Sequence, residues 1–243
     1  MSINNHRLDR LLSKRLNTKR AAIKPLLAKG AVKVDDKVVF DAQHAVNQFS
    51  RIEVAGELVQ NKTPRYVMLH KPKGYVSATH DALNPTVMDL IDESYVQELH
   101  IAGRLDINTT GLLLLTNDSR WSQSLTGNNA GVVKKYLVTT KDKIDYEQYR
   151  AAFCQGIYFS TEGITTKPAK LLAITERQAY LEITEGRYHQ VKRMFGYFNN
   201  QVIGLHRERV GSISLSEDLP VGSYKSVEPD LHARCATETC RSA

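Results

Sequence analysis

The stretch HIAGRLDINTTGLLLLT (100–116) sets a carboxylate, Asp106, one residue from a guanidinium, Arg104. A polar turn follows, and then four consecutive leucines, Leu112 to Leu115. An aspartate in a turn often does no more than stabilise the turn. One held beside a cation where a loop meets a core is oriented and favoured in its charged form. Such a carboxylate can act as a nucleophile or a base. Other reactive side chains lie further along. Tyr136 follows two lysines in KKYLVTTK (134–141), and EGRYHQVKRMF (185–195) gathers Arg187, His189, Gln190, Lys192 and Arg193. LHRERVG (205–211) adds Leu205, His206, Arg207 and Arg209. Each residue alone has an ordinary packing or solvent role; together they form a set able to handle an anionic substrate.

The elements that must carry these residues read as follows. The leucine run after Gly111 predicts a strand buried on both faces. RYVMLHKPKGYVSAT (65–79) predicts a strand interrupted at Lys-Pro-Lys-Gly, and TVMDLI (86–91) a short helix. A helix is expected over 119–126, a strand over 134–141 and a helix over 145–156 ended by glycine. Residues 167–186 read as a hairpin, 187–198 as a helix with Val191, Met194, Phe195 and Phe198 on one face, and 201–215 as strands. Ahead of these, RLDRLLSKRL (7–16) has leucines at helical spacing. A second helix is expected from Lys19 towards Lys29, capped by Thr18, kinked at Pro25 and ended by Gly30. AVKVDDKVVF (31–40) alternates around Asp35-Asp36 as a hairpin, and 50–56 reads as a strand. VQNKTP (59–64) is polar and reads as a linker. The expected division is a small module at 1–60, a linker at 61–64, a larger domain at 65–232 and a flexible tail at 233–243.

The 243 residues are 42% hydrophobic and 24% charged, an ordinary globular composition. No apolar run suggests a membrane span or a leader, so a cytoplasmic protein without a membrane partner is expected. Cys154, Cys235 and Cys240 form no CxxC pair, which speaks against a structural zinc site or a disulfide framework. The formal net charge is +7. Residues 1–63 hold twelve Lys or Arg against six acids, so an excess of six falls in the first quarter of the chain. A basic module beside a nearly neutral body points to a polyanion.

The two basic helices followed by strands resemble the S4 RNA-binding module. That resemblance implies phosphate contacts from Arg7, Lys14, Arg15, Lys19, Arg20 and Lys24, which position an RNA without reading its sequence. Behind it, PRYVMLHKPKGYVSAT, HIAGRLDINTTGLLLLT, KKYLVT, EGRYHQVKRMF and LHRERVG occur in one order over about 64–211. They closely resemble the RsuA family of pseudouridine synthases, and are nearest its members that act on small-subunit (16S) rRNA. The resemblance implies an α+β fold in which a mixed, mostly antiparallel sheet carries flanking helices. It implies cleavage of the uridine N1–C1′ bond, rotation of the base and closure of C1′ to C5, with no cofactor and no metal. Asp106 corresponds to the essential aspartate, and Tyr136 to the tyrosine that stacks on the base and is a candidate for the C5 proton. Lys192 falls where many relatives carry an arginine that pairs with the aspartate; a lysine offers a point charge without the bidentate fork, so a looser pair is expected. Leu205 would pack on the uracil, and Arg104, Arg187, Arg193, Arg207 and Arg209 would contact phosphates or the flipped nucleotide. A monomer acting on rRNA or on an assembly particle is expected.

Four rivals remain at this point. A large-subunit (23S) rRNA enzyme would share the GRLD core. A non-enzymatic S4-type assembly factor has no need of Asp106, Tyr136 and Lys192 as a set. A methyltransferase needs a glycine-rich turn after its first strand, and none has that spacing. A glycosidase needs two carboxylates; Asp106 and Asp118 are available, but no feature pairs them.

Overall fold

A computed structural model of the chain describes residues 6–127 and 131–229; the expected tail at 233–243, with Cys235 and Cys240, lies outside them. The chain divides into two compact units, Met1–Pro64 and Arg65–Ala243.

In the first unit the helices Leu8–Arg15 and Arg20–Ala28 bury Leu8, Leu12, Ile23 and Leu27 against Val32, Val34, Val46, Ile52 and Val54. The second helix is not capped by Thr18. Lys19 holds the cap position with an extended backbone and no side-chain bond. The helix runs through Pro25 without a break, and Gly30, at φ +67°, ends it. Asp35 and Asp36 both adopt positive φ in a two-residue hairpin, the turn whose twist suits paired strands. The strands form a sheet in the order Lys37–Val38, Val32–Val34, Ile52–Val54, Glu57–Gln60. The reading of 59–60 as linker is corrected here. Gln60 is buried and donates to the Asn47 and Ser50 carbonyls, both at 2.9 Å.

The second unit is built on a nine-stranded sheet. Its main path runs Lys170–Thr175, Gln178–Ile183, Lys134–Thr140, Val202–Val210, Thr110–Thr116, Tyr66–Lys71, Tyr224–Ser226. Every neighbouring pair along it is antiparallel except Val202–Val210 with Thr110–Thr116. The fold is α+β, as the sequence implied. Leu112, Leu113, Leu114 and Leu115 are all fully buried. Leu113 and Leu115 enter the large core with Tyr136, Phe153 and Phe195, whereas Leu112 and Leu114 pack with Trp121 and Leu125 on the other face. Burial of each leucine contributes about 2 kcal/mol. Helices Ser119–Thr126 and Tyr146–Gln155 flank the sheet. Three expectations change in detail. Only Tyr66–Lys71 of 65–79 is strand, with Val76 in a single bridge to Thr86. The 86–91 helix is a 3-10 turn, Val87–Leu90. The 187–198 helix is shorter, Gln190–Gly196.

At the central parallel pair Gly111 lies opposite Arg207. Gly111 has φ +104°, and a Cβ there would collide with the Arg207 carbonyl oxygen and stand 2.7 Å from its nitrogen. Gly111→Ala is therefore expected to destabilise the chain by at least about 2 kcal/mol, read as a lower urea midpoint.

Candidate active site

Asp106 lies in the loop between strands His100–Ala102 and Thr110–Thr116. The bonds that fix this loop come from two buried cations and a serine. The Lys71 ammonium, fully buried at the end of its strand, donates to the carbonyls of Ile107 (3.2 Å), Thr109 (2.9 Å) and Pro72 (3.0 Å). Arg207, 1% exposed, donates from Nε to the Leu112 carbonyl (2.8 Å) and from its terminal nitrogens to Gly103 (2.8 Å) and Arg104 (3.4 Å). Ser77 Oγ donates to the Leu105 carbonyl at 2.8 Å and accepts from the Leu105 amide at 3.1 Å. The Thr109 amide closes the turn on the Asp106 carbonyl at 3.0 Å.

The Asp106 carboxylate is thereby aimed at the Gln190–Gly196 helix. Its Oδ2 accepts from Lys192 Nζ at 2.8 Å, and His189 Nε2 lies 3.5 Å from Oδ1. The lysine bond fixes the position of Oδ2, and the imidazole is the neighbour of Oδ1. The helix start makes this arrangement possible. His189 turns the chain in the left-handed region, φ 49°, and its ring stacks on Tyr188 at 3.9 Å. The buried Gln190 accepts from the Arg187 amide (3.0 Å) and donates to Glu185 (2.8 Å). Lys192 thus falls in the first helical turn, while Val191, Met194 and Phe195 are buried in the core.

A cleft of about 1090 Å³ gathers Asp106, Tyr136, Lys192, Leu205, Arg104, Arg187 and Arg207 from the expected set. Tyr136 is 7% exposed at its wall. Several expectations are corrected. Lys192 pairs with Asp106, as the resemblance implied, whereas the side chain of Arg104, the nearer cation in sequence, is exposed at the cleft edge. Arg207 is a buried clamp on the loop rather than a phosphate contact. Arg193 and Arg209 do not line the cleft: Arg193 pairs with Glu162 (2.5 Å) across the Phe159 ring, and Arg209 with Glu182 (2.7 Å). Arg7 holds Asp9 at 2.8 Å, while Lys14, Arg15, Lys19, Arg20 and Lys24 are exposed. Asp118 caps the helix at 119–126 and accepts from the Tyr66 hydroxyl at 3.0 Å, so it is engaged away from Asp106. Lys71 and Ser77 were not singled out as site residues, and His189, though noted in its motif, was given no catalytic role. A lysine and a serine inside a strand-and-turn stretch carry no signal of what they hold. Among the described residues no His, Cys, Asp and Glu group could hold a metal.

A carboxylate held by a lysine, in a cleft whose lining also includes a tyrosine of the mixed sheet, is an arrangement able to do acid–base or nucleophilic chemistry. Residues 65–197 match the RNA pseudouridylate synthase family. The chain is 48% identical over 225 residues to the ribosomal small subunit pseudouridine synthase A of Pseudomonas aeruginosa, covering 92% of this chain and 97% of that one. It is 44% identical over 219 residues to the protein of that name from Vibrio cholerae, covering 90% and 94%. A crystal structure of a pseudouridylate synthase matches with a TM-score of 0.66 at 38% identity, over 91% and 96% of the two chains. The chain belongs to the RNA pseudouridylate synthase family, and its reaction is the isomerisation of uridine in RNA.

Burial pushes the Lys71 ammonium down to about 8, against the opposing pull of the Asp106 charge. Between pH 8 and 10.5 the folded chain binds fewer protons at Lys71 than the unfolded chain, so stability rises with pH across that window. Relative to Lys71→Met, the wild type is expected to gain roughly 2–3 kcal/mol from pH 8 to 10.5 in urea titrations. The same variant strips the Lys71 donor from the Thr109 and Pro72 carbonyls and leaves Ile107 with only the Gly74 amide, and kcat is expected to fall about tenfold to a hundredfold as Asp106 loses its placement.

Proposed function

We propose that the chain converts a uridine of small-subunit (16S) rRNA to pseudouridine, with Asp106 acting at the glycosidic bond. The observation that carries the site assignment is the 2.8 Å ion pair of Asp106 with Lys192, facing a cleft walled by Tyr136 and Leu205. The names of the relatives at 48% and 44% identity support the small-subunit target.

In this reading the target uridine leaves its stack, an expense of a few kcal/mol, and enters the cleft. Asp106, held at Oδ2 by Lys192, faces the sugar C1′ and drives cleavage of N1–C1′. The freed uracil turns between the Tyr136 ring and Leu205 until C5 meets C1′. The new C1′–C5 bond forms, the C5 proton departs by way of the Tyr136 hydroxyl to solvent, and N1, which took the electron pair of the broken bond, gains a proton from solvent. The atoms balance without any cofactor. Arg104 and Arg187 at the cleft edge hold the flanking backbone.

The first unit supplies affinity, as an S4-like module whose exposed Lys14, Arg15, Lys19, Arg20 and Lys24 meet phosphates. The chain acts as a monomer in the cytoplasm, on rRNA or on an assembly particle. Among the described residues no helix is long and apolar enough to cross a membrane.

Tritium release from transcripts labelled at uridine C5 tests the reading. Release from the small-subunit transcript but not the large-subunit one, lost at least a thousandfold in Asp106→Asn, is expected; release from the large-subunit transcript alone would overturn the target. Replacing Lys14, Arg15, Lys19, Arg20 and Lys24 by glutamine is expected to flatten the log–log salt dependence of RNA affinity by about 0.7–0.9 per lost phosphate contact. An unchanged slope would remove the RNA-binding role from this unit.

A further inference from the structure

The cleft is larger than its chemistry requires. About 1090 Å³ is at the upper end of the range for sites that enclose a whole drug-sized ligand. Asp106, Lys192 and His189 occupy one part of it. A second part is lined by Lys134, Lys167, Glu185 and Arg187.

Lys134 is the unusual member. It is 8% exposed, yet its ammonium makes one long bond, 3.3 Å to the Val132 carbonyl. A buried ammonium has three protons to place and is costly to leave short of acceptors. Burial, the Arg207 guanidinium and the Lys167 ammonium all push its pKa down, to about 8, with Glu185 alone among the named neighbours opposing. The two carboxylates of this region are already engaged. Glu185 accepts from Arg187 Nε (3.2 Å), Gln190 Nε2 (2.8 Å) and the Lys167 amide (2.8 Å). Glu162 takes Arg193 at 2.5 Å and lies 3.8 Å from Arg187. Two cationic side chains, Lys134 and Lys167, therefore face the cleft without a carboxylate of their own. Lys134 shares the buried face of its strand with Tyr136, two residues away, a separation of about 7 Å. That is within the reach of one nucleotide from its base to a neighbouring phosphate.

We propose that Lys134 and Lys167 form a phosphate subsite that grips the RNA backbone next to the flipped uridine. The inference rests on the reading of this cleft as the seat of that uridine. The phosphate supplies the anionic acceptors that Lys134 lacks, and its binding offsets the repulsion among Lys134, Lys167 and Arg207. The subsite acts only once the base has entered the cleft, so it contributes to placing the nucleotide and not to sequence choice.

The test is kcat/KM for tritium release from the small-subunit transcript, taken through a salt series at pH 7 for wild type, Lys134→Met, Lys134→Arg and Lys167→Gln. Lys134→Met is expected to lower kcat/KM about tenfold at low salt and to make its log–log salt slope shallower by about 0.7, the value of one single-strand phosphate contact. Lys134→Arg is expected to restore the slope. The exposed Lys167→Gln, which cannot disturb the core, is expected to flatten it in the same direction. The melting temperature of Lys134→Met should be no lower than that of wild type, because a poorly satisfied buried charge has been removed. A wild-type slope in both Lys134→Met and Lys167→Gln overturns the subsite while leaving the reaction intact. No tritium release by the wild type from either rRNA would overturn the uridine reading, and the subsite with it.

Discussion

The site depends on how the backbone carbonyls of one loop are satisfied. Residues 103–109 run between two strands at the edge of the core, where unpaired carbonyls would be expensive. Lys71 and Arg207 answer most of that demand, from strands on either side of the leucine strand. Burying two cations costs several kcal/mol each. Charge-assisted bonds to carbonyls return roughly 1.5–3 kcal/mol apiece, and the loop they grip has little freedom left. Asp106 inherits that rigidity without touching either cation through a bond of its own.

The same constraint explains the floor. A single parallel contact, between Val202–Val210 and Thr110–Thr116, joins two antiparallel halves of the sheet. It brings the Arg207 backbone so close to residue 111 that only glycine fits. The four leucines that follow face two separate cores, two to each side. Rotation or slip of this strand would expose them, so the loop's end is anchored by packing while its carbonyls are anchored by charge.

Electrostatically the cleft is uneven. At Asp106 one carboxylate meets a lysine and a histidine, and its orientation is set. Away from it, Glu162 and Glu185 are occupied by arginines and a glutamine, leaving lysines turned to the cavity. A polyanion with one displaced base suits such a surface. The first unit repeats the theme more simply: its helices bury leucines inward and leave five cations in solvent, a long-range attraction that salt screens.

The sequence by itself determined the elements and the chemical set. The leucine run, the hairpin at Asp35-Asp36 and the helix at 119–126 are local matters of periodicity and turn chemistry, while the α+β class came with the family resemblance. Asp106, Tyr136 and Lys192 were legible because they sit in motifs. What only the tertiary structure decided is which partner each charge takes. The exception is the Lys192–Asp106 pair, which the family resemblance already implied and the structure closes across 86 positions of chain. Arg207, Arg193, Arg209 and Arg7, all plausible RNA contacts as letters, are spent on backbone or on acids. Lys71 and Lys134 look like any surface lysine in the sequence, and both are buried. Helical and strand periodicity is set within a few residues. The partner of a charge depends on burial and on the approach of distant strands, which a linear pattern does not contain.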